Sequence, residues 1–583
     1  MSHRSLNLKY SLRPETYRPK KGFYLEGNPT MLDDAVHEVE LDCARGDTVA
    51  AILALCPDED IMLCLSDAPA FTPAGKLPRV RISAPENASM SFIVYHPDEY
   101  RVLCGDALDT APRCEVKANE TVGVYIEIKT KPDTNPGEYA ACFDLYLSSM
   151  FEDEEALGSV KVKYTVHDFV MPEKKDFKFH LDIWQHNCAI ARAHGVDPWS
   201  DEHFAILEEY VKSLADLGQK AVSLITTDCA WSGQWCHLEG RNRAELYEYS
   251  IIRADRHPDG HFEYDYTAMQ RYIDLCAKYH IDREITIFGL VNVWCDNLGG
   301  FDSITPDYPD GPKIRYRDLG DKGAFKYMRT AAEVEDFIAS LEQYFVKTRQ
   351  IDRVRLLADE PADIERYRKS IDRIKEIAPG FILKAAINHS EFIAEFGDRT
   401  NDFVPNLLSL SKEYDKMCEY KQTMPDKRFL WYVCNQPANP NTMFKNDLCE
   451  SLFIGVVTAL FRMDGFLRWG YTVWCEDPVK DNRYFTWPTG DLNFVYPAKS
   501  SRPMLSLRYK ALKRAVELCE LINLLREKKG DAVADKAFEF VVRASDVRKF
   551  FVDDQPIPTA EMCSLDYKDY ADMRKYLLCE LEK

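Results

Sequence analysis

Arg353-Val354-Arg355-Leu356-Leu357-Ala358-Asp359-Glu360-Pro361 is the stretch on which the reading of this chain turns. A run of Val, Leu and Ala ends in two adjacent carboxylates and a proline. Ile364, Tyr367, Ile371, Ile374 and Ile377 then follow three or four apart, the spacing of one helix face. The order is a buried strand, two acids at its C-terminal end, then a helix. In parallel α/β proteins that edge of the sheet is where ligands bind and chemistry happens. Two carboxylates held side by side repel each other, so their presence costs stability. The plain alternative is a surface turn in which Asp359 caps the next helix.

From Phe177 onward strands alternate with helices. Residues 177–184, 221–227, 284–290, 381–387, 406–410, 428–434 and 465–474 read as further strands, with the opening stretch as the fourth of eight. Between them, Ser200 caps a helix whose face is Phe204, Leu207, Val211 and Leu214 and which Gly218 ends. Thr330 and Glu333 form a capping-box pattern. A polar insertion runs over 296–323. The sequence thus predicts an α/β protein with a (β/α)8 barrel of TIM type over residues 177–527, which the helix 506–528 completes.

Upstream, Val160, Val162, Tyr164 and Val166 alternate with polar residues, and Val124, Ile126 and Ile128 do likewise, the period of half-buried strands. Asn135-Pro136-Gly137 marks a turn between them. Residues 1–172 are expected to form a β-sandwich, with Met171-Pro172-Glu173-Lys174-Lys175 as the linker, and 528–583 a helical extension. The sandwich has no tryptophan to stack on a ring, so bracing the barrel is its expected role.

The 583 residues are 46% hydrophobic and 12% aromatic, enough for extensive cores. The net charge of −21, from 74 Lys+Arg against 95 Asp+Glu, argues against nucleic acid as a partner. The 18 cysteines are scattered without a CxxC pair, so neither a zinc site nor a disulfide framework is expected. His257 and His261 flank a Pro-Asp-Gly turn and make a poor metal pair; no metal and no cofactor is implied. GxGxxG before a helix, the P-loop and the GxSxG elbow are missing. Residues 1–21 carry no apolar signal segment, and no apolar stretch approaches ~18 residues, so neither export nor a membrane span is indicated and a cytoplasmic protein is the expectation.

A barrel brings its strand ends to one mouth. Here they supply Asp182, Trp184, Asp228, Trp231, Trp294, Asp296, Asp359, Glu360, Asn388, Trp431, Tyr432, Trp469, Trp474 and Glu476, and all nine tryptophans lie between Trp184 and Trp487. Indole faces pack on the C–H face of a sugar while acids bind hydroxyls or transfer protons, so a glycan is the expected substrate. For any single indole, filling a wide barrel remains the alternative. Most glycosidases place two carboxylates on opposite sides of the bond, roughly 5–5.5 Å apart when configuration is retained. An adjacent Asp-Glu pair suits another division of labour. Glu360 would protonate the leaving oxygen, and Asp359 would orient a 2-acetamido group whose own oxygen attacks the anomeric carbon.

The chain resembles glycoside hydrolase family 123, the β-N-acetylgalactosaminidases. The resemblance rests on Leu357-Ala358-Asp359-Glu360-Pro361, on Leu430-Trp431-Tyr432-Val433-Cys434 with Pro437 and Pro440, and on Asp464-Gly465-Phe466-Leu467-Arg468-Trp469 continuing through Gly490-Asp491, Tyr496-Pro497 and Ser506-Leu507-Arg508. It implies a sandwich followed by a barrel, and retaining, oxazoline-forming release of terminal β-linked N-acetylgalactosamine. Asp359 would be the stabiliser and Glu360 the general acid/base. Trp431, Tyr432, Trp469 and Trp474 match aromatic positions near the site, and Trp184, Asp228, Trp294 and Asn388 complete the candidate substrate contacts. Two other readings stay open. One is a glycosidase taking its second carboxylate from Glu476, Asp228 or Asp182; the other is a glycan-binding protein without catalysis.

Overall fold

A computed structural model of the chain describes residues 6–21, 32, 35–65, 77–148, 153–238, 242–294, 307–484 and 487–583. The N-terminal part is two six-stranded sheets packed face to face. Val160, Val162, Tyr164 and Val166 point into the space between them, where they meet Leu53, Val124, Ile126 and Phe143. The strands Thr48–Pro57 and Val122–Lys129 are buried along nearly their whole length, because their outer face, carrying Ala50, Ile52 and Tyr125, packs on the rest of the molecule. That second burial explains why Thr48–Pro57 reads as a continuous apolar run and not as an alternation.

The barrel strands are β1 His180–Ile183, β2 Ala221–Ile225, β3 Glu284–Val291, β4 Val354–Asp359, β5 Ile382–Ile387, β6 Asp402–Pro405, β7 Arg428–Tyr432 and β8 Gly465–Arg468. Each pairs in parallel with its sequence neighbour from β2 to β8, and β8 pairs with β1. Between β1 and β2 the seam is a single bridge, Leu181 to Gln219, reinforced where the Gln219 side chain accepts from the Ile183 amide at 2.9 Å. The barrel is therefore nearly closed. Along each strand the side chains alternate. Ile225, Phe288, Leu357, Ala386, Val404, Leu430, Tyr432 and Leu467 line the interior. Val222, Leu224, Ile287, Leu356, Ala385, Phe403, Trp431 and Phe466 face the surrounding helices.

Local chemistry sets the helix ends. Ser200 accepts from the His203 amide at 3.1 Å to start α1 (Asp201–Leu217), and Gly218 ends it in the left-handed region. Thr330 and Glu333 make the expected capping box at α2 (Ala331–Lys347). The expected strand over 406–410 is wrong: Asn406 caps α3 (Leu407–Thr423) through the Ser409 amide at 2.7 Å, and the strand is Asp402–Pro405 just before it. Leu407 and Leu410 are core residues of the helix, which gave that segment its apolar look. The eighth strand stops at Arg468, well short of residue 474.

The N-terminal end of the barrel is closed by charge. The Lys384 ammonium lies 2.5 Å from both Asp182 and Glu284, and all three side chains have no solvent exposure. Arg355 pairs with Asp402 at 2.8 Å alongside. After β8 the long helix α4 (Leu507–Lys529) runs between barrel and sandwich, tied to the latter by Arg508–Asp106, Lys510–Glu127 and Arg514–Glu15. Within the insertions near the mouth, Phe262–Asp265, Arg253–Arg256, Arg315–Asp318 and Ala324–Tyr327 form a small four-stranded sheet. Asp296 lies outside the described residues. Among those described, no helix is long and apolar enough to cross a membrane.

Candidate active site

Asp359 is the last residue of β4, and Glu360 follows it with φ +47°, in the left-handed region. Neighbours on an extended strand point to opposite faces. The turn at Glu360 breaks that rule and brings both carboxyls to the same mouth. A non-glycine residue held there costs about 1–3 kcal/mol, a strain typical of functional positions. The Glu360 amide, donating to the Ala386 carbonyl of β5 at 3.0 Å, holds the turn.

The neighbouring strand is shaped to the same end. Gly289 has φ +95°, and the pairing of β3 with β4 shifts register between Ile287 and Val291. This bulge sends the chain beyond Val291 toward Asp359. A Cβ at Gly289 would sit 2.0 Å from the Thr227 hydroxyl, so only glycine fits. As a result the Asn292 side chain and the Trp294 indole, the latter at 2.9 Å, both donate to the Asp359 carbonyl.

The carboxyls have different partners. Asp359 Oδ2 accepts from the Trp231 indole at 3.0 Å. Glu360 accepts from the Tyr432 hydroxyl on one oxygen and from the Asn388 side chain at 3.1 Å on the other. Burial first, then the Glu360 charge, pushes the Asp359 carboxyl up to about 8. Burial raises Glu360 as well, while Tyr432 and His389 pull it down and Asp491 pushes it up. Two interacting acids of this kind titrate as a pair, and both hold their protons to higher pH than exposed carboxyls do.

Asp491 forms the far wall beside Glu360. Its carboxylate is fully buried, takes Arg468 at 2.7 Å on one oxygen, and takes the indoles of Trp469 and Trp487 at 2.9 and 2.8 Å on the other. The two rings meet edge to face with centroids 6.2 Å apart. Trp184, Trp231 and Phe288 make a second aromatic cluster on the Asp359 side, with centroids 4.9 to 5.8 Å apart.

Of the candidate contacts read from the sequence, the fold gathers Trp184, Trp294, Asn388, Tyr432 and Trp469 around the pair. Three lie elsewhere. Trp431, on the outer face of β7, donates to Thr458 at 2.9 Å and packs on Phe466, as strand alternation with Tyr432 requires. The Trp474 indole donates to the Val495 carbonyl, and this residue lines, with Glu476, a separate cavity of about 1800 Å³ between sandwich and barrel. Asp228 is held by Ser250, Tyr327 and Arg315 and anchors an insertion. Asp182 sits in the closed end of the barrel with Lys384. The three carboxylates offered as a direct nucleophile, Asp182, Asp228 and Glu476, are thus all engaged or placed away from the pair. Asn292, Trp487 and Asp491 are not among the site residues read from the sequence, although Gly490-Asp491 stands among the stretches that carry the resemblance. His257 and His261 stack on each other and pair with Glu263 and Asp259 in their turn.

Tyr432→Phe is expected to raise the pKa of the Glu360 acid. The phenol donates to the carboxylate and so favours its charged form; without it the proton is held more tightly. A buried hydrogen bond of about 1–1.5 kcal/mol corresponds to roughly one pH unit. The midpoint of the Glu360 titration, followed by the infrared absorption of its carboxyl, should move up by about that much, and an unmoved midpoint would show that Tyr432 does not act on this carboxyl.

The glycoside hydrolase 123 catalytic domain matches residues 184–525. A family 123 glycoside hydrolase from Clostridium perfringens, whose structure was solved to detail glycolipid glycan hydrolysis, superposes with a TM-score of 0.74 at 15% identity, over 99% of this chain and 97% of that one. A β-D-glucuronidase from Dictyoglomus thermophilum aligns over 82% of this chain and 68% of its own at 11% identity, with a TM-score of 0.29, too slight a likeness to bear on the site. No curated protein matches the chain.

Proposed function

The chain belongs to the glycoside hydrolase 123 family and is a glycosidase; from that premise we propose that it releases terminal β-linked N-acetylgalactosamine, with retention, by attack of the substrate's own 2-acetamido oxygen. The observation that carries this reading is the Asp359-Glu360 pair itself. Both carboxyls face one aromatic pocket from adjacent backbone positions; Asp182, Asp228 and Glu476 are held elsewhere, and Asp491 beside Glu360 is taken up by Arg468 and two indoles.

In the first step Glu360 gives its proton to the glycosidic oxygen as the C–O bond breaks, while the acetamido oxygen bonds to the anomeric carbon. Asp359 faces the acetamide N–H, which becomes acidic as the oxazolinium ring forms, and neutralises it. Glu360, now a carboxylate, then takes a proton from water as the water opens the ring, and the configuration is restored. The environment of the pair supports this cycle: an amide N–H against Asp359 would favour its anion, while burial favours the proton on Glu360. Tyr432 and Asn388 hold the Glu360 carboxylate in both steps. Trp231 holds Asp359, and the Trp184–Trp231–Phe288 cluster gives the acetamido methyl an apolar wall. The Clostridium perfringens relative's link to glycolipid glycans supports a glycoconjugate as the natural substrate.

The test is hydrolysis of aryl β-N-acetylgalactosaminide beside the N-acetylglucosaminide and the plain galactoside. Cleavage of the first by at least about tenfold over the second, with the galactoside inert, is the expected result. Efficient cleavage of the galactoside would contradict the acetamido mechanism, because a 2-hydroxyl cannot form the oxazoline ring.

A further inference from the structure

Asp106 belongs to the sandwich and is fully buried; Arg18 of the sandwich lies 3.9 Å from it, but its closest ion pair, at 3.0 Å, is with Arg508 across the joint. Its oxygens take the Arg508 guanidinium at 3.0 to 3.1 Å and the Tyr496 hydroxyl at 2.8 Å. Arg508 in turn spends its remaining nitrogen on the chain that follows Trp487: Nη1 donates to the Gly490 and Asn493 carbonyls, both at 2.6 Å. Gly490 has φ +87°, and a Cβ there would meet Phe444 at 2.7 Å, so the backbone is pressed against its supports. A second sandwich residue, Glu99, accepts from the Thr489 amide at 2.5 Å. Between those fixed points lies Asp491, whose carboxylate fixes the Trp469 and Trp487 indoles beside Glu360. Gly490-Asp491, Tyr496 and Arg508, three motifs to which the hydrolytic scheme gives no role, are consecutive parts of one brace.

We propose that Asp106 is a positioning residue for hydrolysis, by which the sandwich, through Arg508, sets the Asp491 segment and the Trp469–Trp487 corner against the sugar. The inference rests on the function proposed above. It places part of the active-site wall under the control of a strand nearly 400 residues upstream, so the sandwich is a component of the catalytic unit and not only a brace for its stability. The corner is aligned by N–H bonds directed at Asp491, which leaves the indole faces and edges to meet the ligand. Displacement of such a wall by about 1 Å can cost on the order of 10²-fold in rate.

The test compares Asp106→Asn with Glu127→Gln in the full chain. Glu127 also pairs with α4, through Lys510 at 2.9 Å, but has no bond to residues 487–496. Asp106→Asn should lower kcat/KM on the aryl N-acetylgalactosaminide by about 10²-fold and change the near-ultraviolet circular dichroism of the indoles. Glu127→Gln should keep kcat/KM within about threefold of the parent and preserve that spectrum. Arg508→Lys, which keeps the charge but cannot bridge Asp106 and both carbonyls, should behave like Asp106→Asn and covers the case in which that variant does not fold. Equal kinetics and unchanged near-ultraviolet spectra in Asp106→Asn and Arg508→Lys would overturn the inference. Should the parent cleave none of the three aryl glycosides, the proposed function fails, and the spectra alone still decide whether Asp106 sets the indole corner.

Discussion

Glu360→Gln is expected to lower kcat/KM by about 10³-fold on a substrate with a sugar leaving group. A positioned acid contributes roughly 10²–10⁴-fold, and the amide keeps the shape of the side chain while removing its proton. The loss should depend on the leaving group. A sugar alkoxide cannot depart without protonation, whereas a dinitrophenolate can, so the same variant should lose about tenfold or less in bond cleavage with the activated aryl glycoside. The basic limb of the pH profile, which in the parent reports the raised carboxyl pair, should disappear with the acid. Both readouts come from initial rates across a leaving-group series. A loss that is uniform across the series would remove Glu360 from the role of acid.

Asp359→Asn should cost about 10²–10³-fold, and the loss should be the same for good and poor leaving groups. In the proposed mechanism Asp359 acts on the attacking acetamide, not on the departing oxygen, so the two variants have opposite signatures in one experiment. The same substitution should stabilise the fold. Burial and the neighbouring Glu360 raise the Asp359 pKa far above that of an unfolded aspartate. A carboxyl shifted in that direction is ionised more easily in the unfolded chain, so its ionisation opposes folding at any pH above the unfolded value of about 4, and increasingly so up to the folded value. Asp359→Asn should therefore raise Tm at pH 8 and leave it nearly unchanged at pH 4. A lower Tm at pH 8 would mean that the carboxylate is satisfied in the fold. Activity obtained at the expense of stability is common at catalytic sites.

The strand 354–359 was legible because it combines a short apolar run, two acids and a helical face directly after them. The place of its two acids at the barrel mouth was legible for the same reason, since they end the strand. The left-handed turn at Glu360 left no such mark: nothing in Asp-Glu-Pro says that both side chains turn inward, and only the backbone reveals it. Period two also reads correctly within a strand but does not say which face is inside. Trp431 and Tyr432 were therefore taken together, although the first must point at the helices if the second points at Glu360. Segment 402–410 failed for a different reason. A four-residue strand runs straight into an Asn-capped helix, and the apolar residues of the helix outweighed those of the strand. Trp474 and Asp228 show the limit of counting residues at strand ends, since insertions carried the first away from the mouth and engaged the second.

The role proposed for Asp359 requires that the substrate supply its own nucleophile. The most direct measurement is kcat/KM for aryl β-N-acetylgalactosaminides whose acetamido methyl carries none, one, two or three fluorines. Fluorine withdraws electron density from the carbonyl oxygen and barely changes its size. If that oxygen attacks the anomeric carbon, log(kcat/KM) should fall steeply with each fluorine, by about three orders of magnitude over the series. A flat series would show that a protein carboxylate attacks instead, and would contradict the assignment of Asp359 as the partner of the acetamido group.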